Sequence, residues 1–255
     1  MDLIIAANWK MHKTTAETVD FCQALLQNES LFEGVKVLVC PPFTALPAAS
    51  GVLRGSTIKL GAQNMHWEEQ GAFTGEISAS MLLELGVDYV IIGHSERRHL
   101  LGEDNRMIRL KVKTALESGL KPILCVGETE TEREDDATEK VIKKQLVEAL
   151  EGLTAENVHS LVVAYEPVWA IGTGKAASPA DAETASSFIR EVIRSIYGPK
   201  TESNVYIQYG GSVKADNIGS FAVLPSIHGA LVGGASLEAD SFGTLIQAAR
   251  KAVIS

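Results

Sequence analysis

Three side chains that can move protons or hold an anion stand in short polar motifs far apart in the chain: Lys10, His94 and Glu166. Imidazole and carboxylate groups are common acids and bases in enzymes, and an ammonium group stabilises negative charge on a reacting oxygen. An apolar run, residues 167–171, follows Glu166. Because an apolar surround raises the pKa of a carboxyl group toward neutrality, Glu166 is suited to take a proton from carbon. These residues, with Asn8 as a further donor, predict proton transfer on an anionic substrate.

Two glycine-rich turns near the end of the chain have the composition of phosphate-binding loops. They contain Gly210, Gly211 and Ser212 in the first and Gly233 and Gly234 in the second. Glycines let backbone N–H groups approach an anion closely, and a following helix start adds a favourable dipole. Either turn alone fits a simple tight connection equally well. Their joint position, after the last two predicted strands, favours a phosphate site.

The segment after Glu166 has the features of a lid, an apolar tip that ends in two glycines. Its residues are Pro167, Val168, Trp169, Ala170, Ile171, Gly172, Thr173, Gly174 and Lys175. The glycines lack the remaining residues of a P-loop, so that motif is not indicated. A lid over a phosphate would exclude water from the reaction. A passive surface loop is the alternative.

Eight short β-branched runs recur along the whole sequence and predict strands. They are Leu3–Ala7, Val35–Cys40, Ile58–Leu60, Tyr89–Ile92, Ile123–Val126, Leu161–Tyr165, Val205–Tyr209 and Ala230–Val232. Several are continuously apolar, as strands covered on both faces of a parallel sheet are. Amphipathic stretches with helical spacing lie between them, such as Thr15–Gln27 and Ala137–Leu150, and the last is Ala239–Val253.

Eight strand–helix units in 255 residues predict the α/β class and a closed (β/α)8 barrel, in one domain over residues 1–255. A doubly wound open sheet is the alternative. It is expected to carry a phosphate-binding glycine fingerprint after its first strand, where this chain has Asn8, Trp9 and Lys10. In a barrel the active site lies at the carboxyl ends of the strands. The predicted chemistry falls there, because His94 and Glu166 each follow a predicted strand.

The composition indicates which classes of binding partner are disfavoured and which cellular compartment is expected. With 23 Lys and Arg against 32 Asp and Glu, the net charge is −9, which disfavours nucleic acid and anionic membranes as partners. The three cysteines, Cys22, Cys40 and Cys125, predict neither a disulfide framework nor a zinc site. Residues 1–10 lack a signal-peptide pattern, and no apolar run approaches the roughly 18 residues of a membrane span. We therefore expect a cytoplasmic protein.

Five motifs, in order along essentially the whole chain, resemble the triosephosphate isomerase family. They are Asn8-Trp9-Lys10, Gly93-His94-Ser95-Glu96-Arg97-Arg98, Ala164 to Lys175, Tyr209 to Val213 and Leu231 to Ser236. The resemblance implies a TIM barrel that interconverts dihydroxyacetone phosphate and D-glyceraldehyde 3-phosphate, as in glycolysis and gluconeogenesis. It also implies a reaction that needs neither a cofactor nor a metal.

The same resemblance implies the roles of individual residues. Glu166 is expected to be the base, and His94 a neutral imidazole that serves both substrate oxygens, a pattern described for this same family. Lys10 and Asn8 are expected to stabilise the oxyanion. Further expected residues are the phosphate-binding Gly172, Ser212, Gly233 and Gly234, and the supporting Ser95, Glu96 and Cys125.

Residues 63–78 are long for a strand-to-helix loop, and we expect them to expose apolar side chains that include Met65 and Phe73. Exposed apolar side chains on a loop need cover, which predicts a partner surface. The resemblance implies that this is the interlocking loop of a homodimer. Thr74 and Gly75 would then reach toward the site of the neighbouring subunit.

Three residues depart from the family pattern. Leu101 stands where a larger aromatic residue is often seen, His228 where an acidic residue is common, and Gln208 where a strand residue is usually apolar. None is at a matched catalytic position. We expect His228 and Gln208 to bear on stability or on the response to pH.

Two other functions remain open from the residues. A different sugar-phosphate isomerase on the same barrel would share the phosphate loops but use another acid and base. A catalytically silent binding protein would have no need of Lys10, His94 and Glu166 together.

Overall fold

The computed structural model describes residues 3–171 and 177–254, and within these ranges eight parallel strands form a closed barrel in sequence order. The strands are β1 (Leu3–Asn8), β2 (Val35–Cys40), β3 (Lys59–Ala62), β4 (Tyr89–Ile92), β5 (Lys121–Val126), β6 (Val162–Tyr165), β7 (Tyr206–Tyr209) and β8 (Gly229–Val232). β1 pairs with both β2 and β8, which closes the barrel. The predicted (β/α)8 barrel is confirmed; β2 and β4 have the predicted bounds, and the other strands differ by one or two residues at one or both ends. The assignment of residues 1–255 to one domain stays a prediction.

Helices connect successive strands. They are α1 (Thr15–Gln27), α2 (Leu46–Leu53), α3 (Ala79–Glu84), α4 (Ser95–His99), α5 (Asn105–Glu117), α6 (Glu130–Glu134), α7 (Thr138–Ala149), α8 (Pro179–Tyr197), α9 (Pro199–Glu202), α10 (Ile218–Ala222) and α11 (Ala239–Ile254). Short 3₁₀ turns lie at Glu29–Phe32, Phe43–Ala45, Asn157–Ser160, Val168–Ala170 and Gly234–Ser236. The last two of these turns follow β6 and β8, at the end of the barrel where the active site was predicted.

The strands are apolar throughout because each one is covered on both faces. In β1, Ile4 and Ala6 belong to the cluster inside the barrel, whereas Leu3, Ile5 and Ala7 belong to the larger cluster between the barrel and the helices. Successive side chains of a strand point to opposite faces. A strand buried on both sides therefore reads as a continuous apolar run, which is why these runs were recognisable in the sequence.

Local capping signals begin and end the helices. Ser178 is the N-cap of α8, its side chain accepts from the Asp181 N–H, and Pro179 takes the first helical position. Gly119 follows α5 with φ of +87°, a conformation that glycine adopts without strain. The carboxyl-end loops are thus joined to helices whose ends are fixed by short-range hydrogen bonds.

The expectation that Met65 is exposed is wrong. Met65 is fully buried in the monomer and packs in the core between the barrel and the helices. The loop after β3 also packs on itself, since the ring of His66 stacks on Trp67 and lies 4.4 Å from the ring of Phe73. The tip of the loop remains exposed, including Phe73, Thr74 and Gly75.

In the described parts of the chain, no helix is both long enough and apolar enough to span a membrane. The longest of these helices, α8, has 19 residues and carries charged side chains along its length. Its buried face is formed by small and aliphatic residues, which pack it against the barrel.

Candidate active site

A cleft of about 740 Å³ opens at the carboxyl ends of the strands, where the fold brings the predicted site residues together. Its walls include Asn8, Lys10, His94, Glu166, Ser212 and Gly233. These residues come from β1, β4, β6, β7 and β8 or from the loops that directly follow them. Residues separated by more than 200 positions in the chain thus face the same space.

His94 and Glu166 are in direct contact. Glu166 Oε1 lies 2.9 Å from His94 Nε2, and both side chains are almost completely buried. The other carboxylate oxygen, Oε2, accepts a hydrogen bond of 2.9 Å from the Ser95 N–H at the start of α4. Ser95 therefore supports the site through its backbone, which holds the carboxylate against the imidazole.

The structure corrects the expected protonation of this pair. Burial alone would raise the pKa of Glu166, but the charge of His94, its hydrogen bond and the Ser95 N–H outweigh burial and leave that pKa below its usual value. Burial would lower the pKa of His94, but the Glu166 carboxylate outweighs it and raises that pKa. In this arrangement the contact lowers the pKa of Glu166 rather than raising it, whereas the neutral imidazole expected for His94 toward substrate stays a prediction. The apolar residues that follow Glu166 predicted burial but not its charged partner.

The second ring nitrogen of His94 selects the tautomer. His94 Nδ1 accepts a hydrogen bond of 3.2 Å from the Glu96 N–H in the first turn of α4. An accepting Nδ1 carries no proton, so we assign the ring proton of the neutral imidazole to Nε2. In the neutral ring, the N–H is therefore the one at Nε2, on the side that faces the cleft.

Lys10 is placed beside the pair by an unusual backbone conformation. Its φ is +51°, in the left-handed region that a residue with a Cβ seldom adopts. The side chain of Asn8 accepts a hydrogen bond of 3.0 Å from the Lys10 N–H, which stabilises this turn. Lys10 Nζ lies 2.6 Å from Glu96 Oε1, so its charge is balanced and its position fixed. Glu96 thus contacts both Lys10 and His94.

Two glycines make room for Glu166, a role that no motif in the sequence indicates. A Cβ on Gly127 would overlap the carbonyl of Glu166, and one on Gly210 would lie 2.9 Å from its Cγ. Gly127 was not predicted as a site residue, and Gly210 was predicted only as part of a phosphate loop. The signal for Gly127 is its position directly after β5, beside the end of β6.

Arg98 is a second residue whose role sequence reasoning missed, although it is part of a quoted motif. Its guanidinium donates to the Gly93 carbonyl at 2.7 Å, to Asn105 Oδ1 at 2.6 Å and to the Cys125 carbonyl at 2.9 Å. It therefore joins the loop that carries His94 to the end of β5.

The thiol of Cys125 is fully buried, and burial raises its pKa well above the usual value. A buried thiol with a raised pKa is poorly suited to thiolate chemistry, and the supporting role expected for Cys125 stays a prediction.

The glycine-rich loops after β7 and β8, predicted to bind phosphate, line the same cleft. The 3₁₀ turn at 234–236 begins after Gly233, and a Cβ on Gly233 would lie 3.6 Å from Lys10 Cε, so this loop and the lysine are adjacent. Ser212 Oγ donates to the Ala170 carbonyl at 3.3 Å, which links the loop after β7 to the start of the predicted lid. Among residues 3–171 and 177–254, no group of three or more His, Cys, Asp and Glu side chains is placed to hold a metal ion.

The start of the predicted lid is anchored through one buried carboxylate. Glu128 accepts hydrogen bonds from Trp169 Nε1 at 2.8 Å and from the Tyr165 hydroxyl at 3.1 Å. The guanidinium of Arg133 lies 4.2 Å from the centre of the Trp169 ring. Ile171, the last described residue before the gap, lines the cleft. The remaining predicted lid residues, Gly172, Thr173, Gly174 and Lys175, lie outside the described residues.

A barrel with a histidine–glutamate pair, a lysine and glycine loops at one mouth defines a class, the (β/α)8-barrel enzymes that transfer protons on a small anionic substrate. A model of the triosephosphate isomerase family matches residues 3–249 of the chain. The chain belongs to the triosephosphate isomerase family, and it is an isomerase.

Individual relatives are similar to the chain over almost its whole length. The triosephosphate isomerase of Symbiobacterium thermophilum is 50% identical over 249 residues, which cover 98% of the chain and 97% of that relative. The triosephosphate isomerase of Alkaliphilus metalliredigens is 54% identical over 239 residues, which cover 94% of the chain and 96% of that relative. The resemblance seen in the five motifs is confirmed.

Proposed function

We propose that Glu166, His94 and Lys10 carry out the isomerisation as base, oxygen-side acid and oxyanion stabiliser. The family gives the reaction: the chain interconverts dihydroxyacetone phosphate and D-glyceraldehyde 3-phosphate. The observation that carries the residue assignment is the 2.9 Å approach of Glu166 to His94 in the same cleft as Lys10 and the glycine loops. An acid and a base that meet in one cleft can act on neighbouring atoms of one substrate.

In the proposed reaction, the Glu166 carboxylate takes a proton from the carbon next to the carbonyl. The electron pair of that C–H bond forms the carbon–carbon double bond of an enediolate, and negative charge develops on the former carbonyl oxygen. His94 Nε2–H and the Lys10 ammonium stabilise this oxygen. Glu166 then returns the proton to the adjacent carbon, while protons move between the two oxygens through His94.

This pathway requires Glu166 to leave His94 when substrate binds. The carboxylate must move from Nε2 to the substrate carbon, and the imidazole then faces a substrate oxygen instead. Removal of the carboxylate from the ring also removes the interaction that raises the pKa of His94. The neutral Nε2–H tautomer is therefore the form that meets the substrate.

We assign the phosphate group to the loops that contain Ser212, Gly233 and Gly234, with Gly172 and the rest of residues 167–175 as a lid over it. The contact from Ser212 to Ala170 and the anchoring of Trp169 by Glu128 support a coupling between these loops. A closed lid holds the phosphate in the enediolate and limits its elimination.

Proton NMR of D-glyceraldehyde 3-phosphate with the purified protein in deuterated water tests the mechanism. We expect dihydroxyacetone phosphate as the product, with solvent deuterium on the carbon that gained the proton. Deuterium enters because the proton held by Glu166 exchanges with solvent before it returns. Product without deuterium under all conditions would favour direct transfer between the carbons, and no product from a folded protein would contradict the assignment.

We propose that two copies of the chain form a homodimer through the loops that follow β1, β3 and β4. These loops lie on the face that carries the cleft. β3 and β4 are neighbours in the barrel, and β2 separates β3 from β1. They expose Met11 (95%), Leu100 (77%), Leu101 (64%) and Phe73 (43%). Apolar side chains exposed on these loops fit a partner surface, with Thr74 and Gly75 at the tip of the longest loop.

The double variant Met11→Glu/Leu101→Glu is expected to raise the dimer dissociation constant by at least about 100-fold, because it places unpaired charges in the apolar centre of the interface. Light scattering after size-exclusion chromatography measures the mass at each protein concentration. Val253→Glu is the matched control, since Val253 is 51% exposed at the end of α11, away from these loops. Equal dimer stability in the two variants would contradict the proposed interface.

We also place the protein in the cytoplasm. Cys22, Cys40 and Cys125 are all unpaired and buried, which suits a reducing compartment. Both triose phosphates are intermediates of central carbon metabolism in that compartment, in glycolysis and gluconeogenesis.

A further inference from the structure

Trp9, between the site residues Asn8 and Lys10, makes a contact that the reaction as described does not use. It is fully buried, and its indole Nε1–H donates a hydrogen bond of 3.1 Å to the carbonyl of Ser236. The two residues are 227 positions apart. The bond joins the loop that carries Lys10 to the 3₁₀ turn that follows Gly233.

Ser236 is the residue that closes the turn on the phosphate side. Its N–H donates to the Gly233 carbonyl at 2.8 Å, and its hydroxyl lies 2.7 Å from the same carbonyl and 3.0 Å from that of Val232. Ser236 is completely buried. The position of its own carbonyl is therefore coupled to the position of the Gly233 and Gly234 backbone.

The Lys10 loop needs a fixed support because its backbone is strained. Lys10 and Lys13 both have positive φ, +51° and +73°, at residues with a Cβ. Conformations of this kind persist only where the surroundings hold them in place. The ring of Trp9 packs edge-on against Phe21 with centroids 4.7 Å apart, and Lys13 Nζ lies 5.5 Å from the centre of the Trp9 ring. Trp9 is the buried anchor of this loop.

We propose that Trp9 is a positioning residue that sets the distance between the Lys10 ammonium and the backbone groups of the loop after β8. A dianionic phosphate ester binds best when the protein groups that contact its oxyanion side and its phosphate are already held at a fixed spacing. Little further ordering of the protein is then needed on binding. The Trp9–Ser236 hydrogen bond fixes that spacing from beneath the cleft. The inference rests on the proposed function, both for the triose phosphate substrate and for the assignment of its phosphate to the loops after β7 and β8.

The test compares Trp9→Phe, which keeps an aromatic ring and removes the N–H, with Phe21→Leu, which disturbs the same packing and leaves the hydrogen bond. For Trp9→Phe we expect KM for D-glyceraldehyde 3-phosphate and the inhibition constant of inorganic phosphate to rise together, by about 3- to 10-fold, the contribution of one neutral hydrogen bond. We expect kcat to change less than KM. Phe21→Leu is expected to lower the melting temperature without changing either constant.

Equal changes in KM and phosphate inhibition in the two variants would overturn the proposal, because loss of packing alone would then explain them. No change in either constant for a folded Trp9→Phe protein would overturn it as well. An inactive wild-type protein would instead contradict the proposed function.

A measurement on the unaltered sequence keeps the proposal testable if Trp9→Phe does not fold. Linkage is reciprocal, so phosphate must strengthen the Trp9–Ser236 bond by the factor by which the bond strengthens phosphate binding. In ¹⁵N-tryptophan-labelled protein, we expect solvent exchange of the Trp9 indole proton to slow on saturation with inorganic phosphate. Trp67→Phe and Trp169→Phe assign the other two indole signals. An exchange rate that phosphate leaves unchanged would overturn the proposal.

Discussion

Replacement of Glu166 by Gln is expected to lower kcat by about 1,000-fold, within the range that a positioned general base contributes. The amide has no basic oxygen that can take a proton from carbon, so the first step of the reaction is lost. KM is expected to change little, because the proposed contacts to phosphate come from the loops after β7 and β8. Steady-state kinetics in both directions measures the effect.

The fold is expected to remain in Glu166→Gln. The amide oxygen can still accept from the Ser95 N–H, which in the native protein donates to Glu166 Oε2 at 2.9 Å. His94 loses a negative neighbour, so its raised pKa falls. Inorganic phosphate should therefore still inhibit the residual activity with a similar constant, and the melting temperature should stay close to that of the native protein.

Glu183→Gln is the matched control, because it makes the same chemical change outside the cleft. Glu183 accepts a hydrogen bond of 2.7 Å from the Ser226 hydroxyl and takes no part in the proposed reaction. We expect its kcat to equal that of the native protein. Native turnover in Glu166→Gln, or an equal loss in both variants, would remove Glu166 from the role of base.

The barrel and the strand-end residues were predictable because they depend on local patterns. Strands buried on both faces leave continuous apolar runs, and β1 shows this with alternate residues in two separate clusters. A closed barrel then brings the carboxyl ends of all strands to one mouth. The joint position of His94 and Glu166 follows from topology, without knowledge of any side-chain contact.

The predictions that were wrong and the residues that were missed depend on contacts between segments that are distant in the chain. Met65 was expected to be exposed because it stands among polar residues in the sequence. The loop instead turns its side chain into the core. The pKa of Glu166 was expected to rise because only its sequence neighbours were considered, and His94 lies 72 positions away from it in the chain. Gly127 and Arg98 act through the packing of β5 against β4 and β6, which no short motif encodes.

His228 has the most unusual surroundings among the residues that depart from the family pattern. Its Nδ1 lies 3.1 Å from the Ile207 N–H, and its Nε2 lies 2.8 Å from Arg190 Nη2. Both ring nitrogens therefore face donors, whereas a neutral imidazole can accept at only one of them. Burial and the neighbouring Arg190 charge lower the pKa of His228 to about 4. A proton on this ring would place a second cation beside Arg190.

The lowered pKa makes stability depend on pH on the acid side. The unfolded chain binds a proton at His228 near pH 6.5, whereas the folded chain binds it only near pH 4. Between these values the unfolded state holds more protons, so the free energy of unfolding falls as pH decreases from about 6.5 to about 4. We expect His228 to account for a loss of about 2 kcal/mol over this range, after allowance for solvent screening of a partly exposed ring.

His228→Asp is expected to remove this loss, because a carboxylate can accept from both the Ile207 N–H and Arg190. The variant should therefore have the higher free energy of unfolding at pH 5, with a smaller difference above pH 7, where His228 is neutral in both states. Urea unfolding at a series of pH values measures the difference. His159→Asn, a change at an exposed histidine, should follow the native pH dependence. A constant difference between His228→Asp and the native protein across this pH range would show that packing, rather than titration of His228, determines the effect.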